Sequence, residues 1–148
     1  MEFYIQKVQK FYPELTIAIN KLLKQLDNNV TSLAKEDIEI MVESYSNRLF
    51  VARRSDTHEI VGMLTLIIYR IPVWKKGWLE DVVVDKEYRN KGIATKLFGQ
   101  AIRAAKDEGV KSLNFTSRPD REAANSLYKS LGFEKRNTNV YSIKLSDE

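Results

Sequence analysis

Val82-Val83-Val84-Asp85-Lys86-Glu87-Tyr88-Arg89-Asn90-Lys91-Gly92-Ile93-Ala94-Thr95 is the stretch that decides the fold. Three β-branched residues end a strand that begins near Trp78, and the charged run from Asp85 to Lys91 has to turn the chain before Gly92. From Ile93 onward, Ala94, Leu97, Phe98, Ala101, Ile102 and Ala105 share one broad helical face, and Gly109 marks the helix end. A strand, a glycine turn and a long helix therefore follow one another. The first turn of such a helix offers unpaired N–H groups and a positive dipole end, and Gly92 lets another group approach the backbone. Arg89 and Lys91 add cationic donors, so the turn suits a pyrophosphate better than a single carboxylate. Taken alone, a tight turn that needs glycine for its own geometry reads the same way.

Working outward, Phe3, Ile5 and Val8 predict a first strand. Leu15, Ala18, Ile19, Leu22, Leu23 and Leu26 predict a helix after Pro13 that stops at Asp27-Asn28-Asn29, and a second helix is predicted over 35–43 with Ile38, Met41 and Val42 on its inner face. Leu49–Ala52 and Ile60–Tyr69 read as an antiparallel hairpin around the polar turn Arg53–Glu59. Downstream, Ser112–Thr116 reads as a strand and Glu122–Ser130 as a short helix. Gly132-Phe133-Glu134 leads into a further strand, and Val140–Leu145 is the last. The expected order is β-α-α-β-β-β-α-β-α-β, an α/β (α+β mixed) sheet in one domain over residues 1–148.

Composition bounds the chemistry. With 43% hydrophobic and 30% charged residues among 148, the chain is globular in type. It contains no cysteine, which excludes disulfides, thiolate metal sites and a cysteine nucleophile. The longest mainly apolar run, Ile60–Ile68, is too short for a membrane helix, and the N-terminus lacks the apolar core of a signal peptide; a cytoplasmic protein is expected. The +4 net charge suits a polyanionic partner, but no helix-turn-helix signal, basic tail or stacking-aromatic motif points to specific nucleic-acid binding. Neither Gly-x-x-x-x-Gly-Lys-Ser/Thr nor Gly-x-Gly-x-x-Gly occurs, so nucleotide hydrolysis and dinucleotide binding are disfavoured. The single histidine, His58, sits in a polar turn and reads as solvated.

A second motif lies in Arg121-Glu122-Ala123-Ala124-Asn125-Ser126-Leu127-Tyr128-Lys129-Ser130-Leu131-Gly132-Phe133. Asn125, Tyr128, Gly132 and Phe133 there, and Arg89, Gly92 and Ala94 upstream, resemble the Asn-x-x-Tyr-x-x-x-Gly-Phe and Arg/Gln-x-x-Gly-x-Gly/Ala signatures of the GNAT superfamily of acyl-CoA-dependent N-acetyltransferases. The resemblance is strong from Leu79 to Phe133 and loose over residues 10–45. It implies the GNAT fold, a central, mostly antiparallel twisted sheet with a splayed parallel pair and flanking helices. It also implies acetyl-CoA as cosubstrate, no metal, and direct attack by an amine while both substrates are bound.

The resemblance also assigns residues. Backbone groups of Val82, Val83 and Val84 would face the thioester, with Val82 and Val84 bonding the pantetheine arm. Arg89, Asn90, Lys91, Gly92, Ile93, Ala94 and Thr95 would grip the pyrophosphate. Asn125 would assist, and Tyr128 would contact the coenzyme and act as general acid. Glu80 shares strand parity with Val82 and Val84 and is the expected base, Asp81 replacing it if a bulge shifts that parity. Trp74, Lys75, Lys76, Trp78 and the loop 27–32 are candidates to border the acceptor site. Partners are acetyl-CoA and an unidentified amine, with no membrane; a homodimer is left open. The rival class is a catalytically silent CoA-binding sensor or interaction module, against which the presence of Tyr128 argues.

Overall fold

A computed structural model describes residues 1–147. The chain forms two compact units, Met1–Thr116 and the residues from Ser117 onward.

In the first unit the elements run β1 (Phe3–Val8), α1 (Glu14–Leu26), α2 (Lys35–Glu43), β2 (Asn47–Arg54), β3 (Ile60–Arg70), β4 (Lys75–Val84), α3 (Ile93–Asp107) and β5 (Val110–Asn114). A 3₁₀ turn over Lys86–Tyr88 occupies the charged segment between β4 and α3. The sheet has the order β1-β2-β3-β4-β5, antiparallel in its first three pairings and parallel between β4 and β5. The parallel pair is possible because α3 supplies the long crossover that two parallel strands require.

The mainly apolar run of β3 follows from its place in the middle of the sheet, where helices cover both faces. Met63 packs in one core cluster with Leu15, Ile19 and Leu22 of α1 and Ile38 of α2. On the opposite face, a methyl group added at Gly62 would lie 3.4 Å from both Ile93 and Leu97 of α3. A glycine at that point lets α3 sit close to β3. The apolar faces predicted for the three helices of this unit are the faces they bury: Leu15, Ile19, Leu22 and Leu23 of α1, Ile38 and Val42 of α2, and Ile93, Leu97, Phe98, Ala101 and Ala105 of α3.

In the second unit, α4 spans Glu122–Ser130. Gly132, at φ 97°, ends it in the left-handed region. The N–H of Phe133 then donates to Tyr128 O at 3.0 Å and that of Gly132 to Lys129 O at 3.0 Å, which closes the helix and explains the Gly-Phe pair of the second motif. The expected strands beyond it are a correction: residues 133–147 form neither helix nor strand. Alternating apolar residues make a strand only where a neighbouring strand completes their backbone bonds and covers one face. Here Val140, Tyr141, Ile143 and Leu145 are at least 72% exposed.

Candidate functional site

The first departure from regular structure lies inside β4. Glu80 is opposite Thr65 and Val83 is opposite Met63, so Leu64 alone faces both Asp81 and Val82. This is a β-bulge, and Asp81 absorbs it at φ 51°, a left-handed conformation in which Asp is tolerated better than most residues. The extra residue moves Glu80 onto the same face as Val83, which corrects the expected shared parity of Glu80 with Val82 and Val84. On its other edge β4 pairs with β5 only as far as Trp78 opposite Asn114. Its bulged half, Leu79–Val84, runs on beyond that ladder, which is the splayed parallel pair.

Glu80 and Asp81 line a cavity of about 280 Å³ on the α1–α2 side of the sheet. Its walls are mainly apolar, including Ile19, Leu23, Ile38, Met41, Leu49 and Met63. The Trp78 indole N–H donates to Glu80 Oε1 at 2.7 Å and fixes that carboxylate. Desolvation, and then the negative charge of Glu80, push the Asp81 carboxyl above its ordinary value. Of the border residues proposed from the sequence, Trp78 therefore acts through Glu80. Lys75 instead donates to Glu108 O at 3.1 Å, and Trp74 lies under the ammonium of Lys111. Leu33, just past the predicted 27–32 loop, lines the cavity, as do Met41 and Ile38 of α2. Sequence reasoning read that helix face only as core; a face shared by a core and a cavity carries no separate signal.

Beyond β4, the turn is held from beneath. The Asp85 carboxylate is 1% exposed, accepts the Glu87 N–H at 3.0 Å and lies 3.2 Å from Lys21 Nζ. Burial alone would raise its pKa, but the Glu87 amide, Lys21 and Gln25 outweigh burial and hold it below the ordinary value. The Lys86 N–H donates to Gln25 Oε1 at 2.8 Å, and Arg89 Nε to Val84 O at 3.2 Å. Asn90 and Gly92 then take φ of 62° and 78°, bending the chain into α3.

Gly92 is the N-cap of α3 and no side chain caps it; the first amide bonded back to it is that of Lys96, at 3.2 Å. The Ile93, Ala94 and Thr95 amides make up the first helical turn, whose N–H groups have no partner within the helix and could hold an anion. A methyl group added at Gly92 would meet nothing within 4 Å. This glycine serves a left-handed conformation and an open approach; no close packing demands it. Arg89, Asn90, Lys91 and Thr95 are exposed around the turn, while Ile93 is buried and anchors it. Two cations and a row of first-turn amides form a donor set that fits a diphosphate.

The predicted residues thus fall into two groups. Glu80 and Asp81, Val82–Val84 and Arg89–Thr95 lie in order along one strand, turn and helix. Asn125 and Tyr128 sit on α4 in the second unit. The Asn125 amide donates to Arg118 O at 3.0 Å and Arg121 O at 2.9 Å, tying the preceding loop to its helix. Desolvation pushes the Tyr128 phenol above its ordinary value, with the charge of Arg121 opposing, so the hydroxyl stays protonated at neutral pH.

The family model described as "Acetyltransferase (GNAT) family" matches residues 17–133. The chain belongs to that family. Among GNAT relatives, it is 32% identical over 106 residues to L-2,4-diaminobutyric acid acetyltransferase of Marinococcus halophilus, a match covering 68% of this chain and 56% of that protein. It is 38% identical over 58 residues to N-alpha-acetyltransferase 30 of Schizosaccharomyces pombe, covering 39% of each. The chain thus spans roughly half or less of the curated relatives it matches. A putative acetyltransferase of Agrobacterium tumefaciens superposes with a TM-score of 0.83 at 17% identity, over 95% of this chain and 99% of that one, which shows the GNAT fold. Among the described residues, no group of three or more His, Cys, Asp or Glu could hold a metal ion, and no helix is long and apolar enough to cross a membrane.

Proposed function

We propose that the chain is an N-acetyltransferase in which a primary amine attacks acetyl-CoA directly while both are bound. The observation that carries this reading is the sequence of features along one stretch of backbone. A two-carboxylate cavity, a bulged strand half beyond its parallel partner and an uncapped cationic helix start follow within residues 80–95.

Bound acetyl-CoA would supply an acyl group activated as a thioester, with a thiolate as leaving group. The chain's own residues do the rest. Arg89, Asn90, Lys91 and the turn Gly92–Thr95 hold the diphosphate. Backbone groups of Val82, Val83 and Val84 hold the pantetheine arm and the thioester carbonyl. The bulge leaves both carboxylates on the cavity, so Glu80, fixed by the Trp78 indole, keeps the role of taking the proton of the amine, and Asp81, whose pKa is raised, is the alternative base. Tyr128 donates the proton that the leaving thiolate needs, and its raised pKa keeps that proton in place until then. Asn125 supports this arrangement by fixing the start of α4 through Arg118 and Arg121.

The test is release of free CoA from acetyl-CoA, followed with a thiol reagent across a panel of primary amines. Amine-dependent release is expected. CoA binding without release for any amine would favour the catalytically silent module.

A further inference from the structure

Resting on the acetyltransferase reading, we infer that the acceptor is a primary amine borne on an apolar chain, with no anionic group beside the amine. The walls of the Glu80–Asp81 cavity dictate this chemistry. Among the described residues, the lining includes two carboxylates and not one Lys, Arg or His, so a cationic amine is attracted while a phosphate or α-carboxylate is repelled.

Hydrogen-bond partners for a hydroxylated acceptor are scarce as well. The polar side chains in the lining other than the carboxylates are Asn47 and Thr65. The Asn47 amide already donates to Met41 O at 3.0 Å, and Thr65 is 8% exposed. A sugar amine placed here would bury hydroxyls with few partners, a costly exchange for water. An alkyl chain would instead cover the walls formed by Ile19, Leu23, Met41 and Met63. The volume of about 280 Å³ matches about nine water-sized shares of about 30 Å³ each, which accommodates a chain of several carbons beyond the amine.

The test uses the full chain, saturating acetyl-CoA and a series from n-propylamine to n-hexylamine, set against norleucine, ethanolamine and glucosamine 6-phosphate. We expect kcat/KM to rise about fourfold per added methylene, the transfer free energy of one buried CH₂. Norleucine, which adds a carboxylate beside the amine of a similar chain, is expected to fall at least about tenfold below n-pentylamine. Met41→Gln and, on an exposed position, Leu33→Gln should flatten the chain-length dependence, with thermal unfolding confirming that each is folded. Release that is fastest with ethanolamine or glucosamine 6-phosphate, or that is indifferent to chain length, would overturn this acceptor class and leave the acetyltransferase reading standing. An unaltered slope in both folded variants would do the same. No release with any amine would overturn both.

Discussion

The C-terminal end of α3 is tied to the rest of its unit, whereas its N-terminal end is left without a side-chain cap. At the C-terminal end the Arg48 guanidinium forks onto Glu108 at 3.0 and 2.7 Å, Lys75 donates to Glu108 O, and the Glu108 N–H returns to Ala104 O. At the N-terminal end a glycine in the left-handed region stands at the cap, where a capping Ser, Asp or Asn is worth only about a few tenths of a kcal/mol more than glycine. Stability has been given up at one end of the helix only. One helix end is finished for the fold, and the other is left uncapped, where we propose that the diphosphate binds, with the turn supported from beneath by the buried Asp85 and its partners Lys21 and Gln25.

Substitutions at and around the two ends should have separable effects on turnover, coenzyme binding and stability. The largest effect is expected from the proton that the leaving group needs. Tyr128→Phe keeps the ring and removes the donor, so kcat should fall about 10²-fold while the Kd of acetyl-CoA changes little. A kcat within about twofold of wild type, with chemistry rate-limiting, would remove Tyr128 from that role. Next, Gly92→Val forces a β-branched residue into φ 78° and fills the approach, so acetyl-CoA should bind about tenfold or more weakly in calorimetric titration, with the protein still folded.

The closed end should answer in the opposite currency. Arg48→Ala removes the two charged hydrogen bonds to Glu108, together with those to the Tyr45 and Asn47 carbonyls, and we expect a loss of about 1–2 kcal/mol in denaturant unfolding with acetyl-CoA affinity unchanged. The smallest effect lies beneath the turn. Because the Asp85 pKa is lower in the folded state, its charge contributes stability above the unfolded value of about 3.9, and this is lost as pH falls through the folded value. Wild type should exceed Asp85→Asn by about 1 kcal/mol at neutral pH, and the gap should close in acid below about pH 3.9. A gap independent of pH would assign Asp85 a packing role alone.

Much of the open end was legible in the sequence, because its signals are local. A β-branched run, a charged turn, one glycine and a 3.6-residue apolar period fix a strand, a turn and a helix without long-range information. The hairpin of β2 and β3 and the helices α1 and α2 were readable for the same reason. The bulge was harder to place. Nothing in Glu80-Asp81-Val82 shows which residue takes the left-handed conformation, and a one-residue shift reverses which side chains share a face. The cavity was less visible still, since its walls come from α1, α2, β2, β3 and β4, and each contributes residues that also read as core. The expected strand at Val140–Leu145 failed for a related reason: alternation is written in the segment, but the partner that would make it a strand is not.

The most direct measurement follows backbone amide resonances as CoA is titrated into the full chain, comparing the two ends of α3. The largest shifts and strongest protection from exchange are expected at Ile93, Ala94 and Thr95, with Glu108 and Gly109 unmoved. Binding that leaves the amides of residues 93–95 unperturbed would contradict the phosphate cradle and, with it, the proposed site.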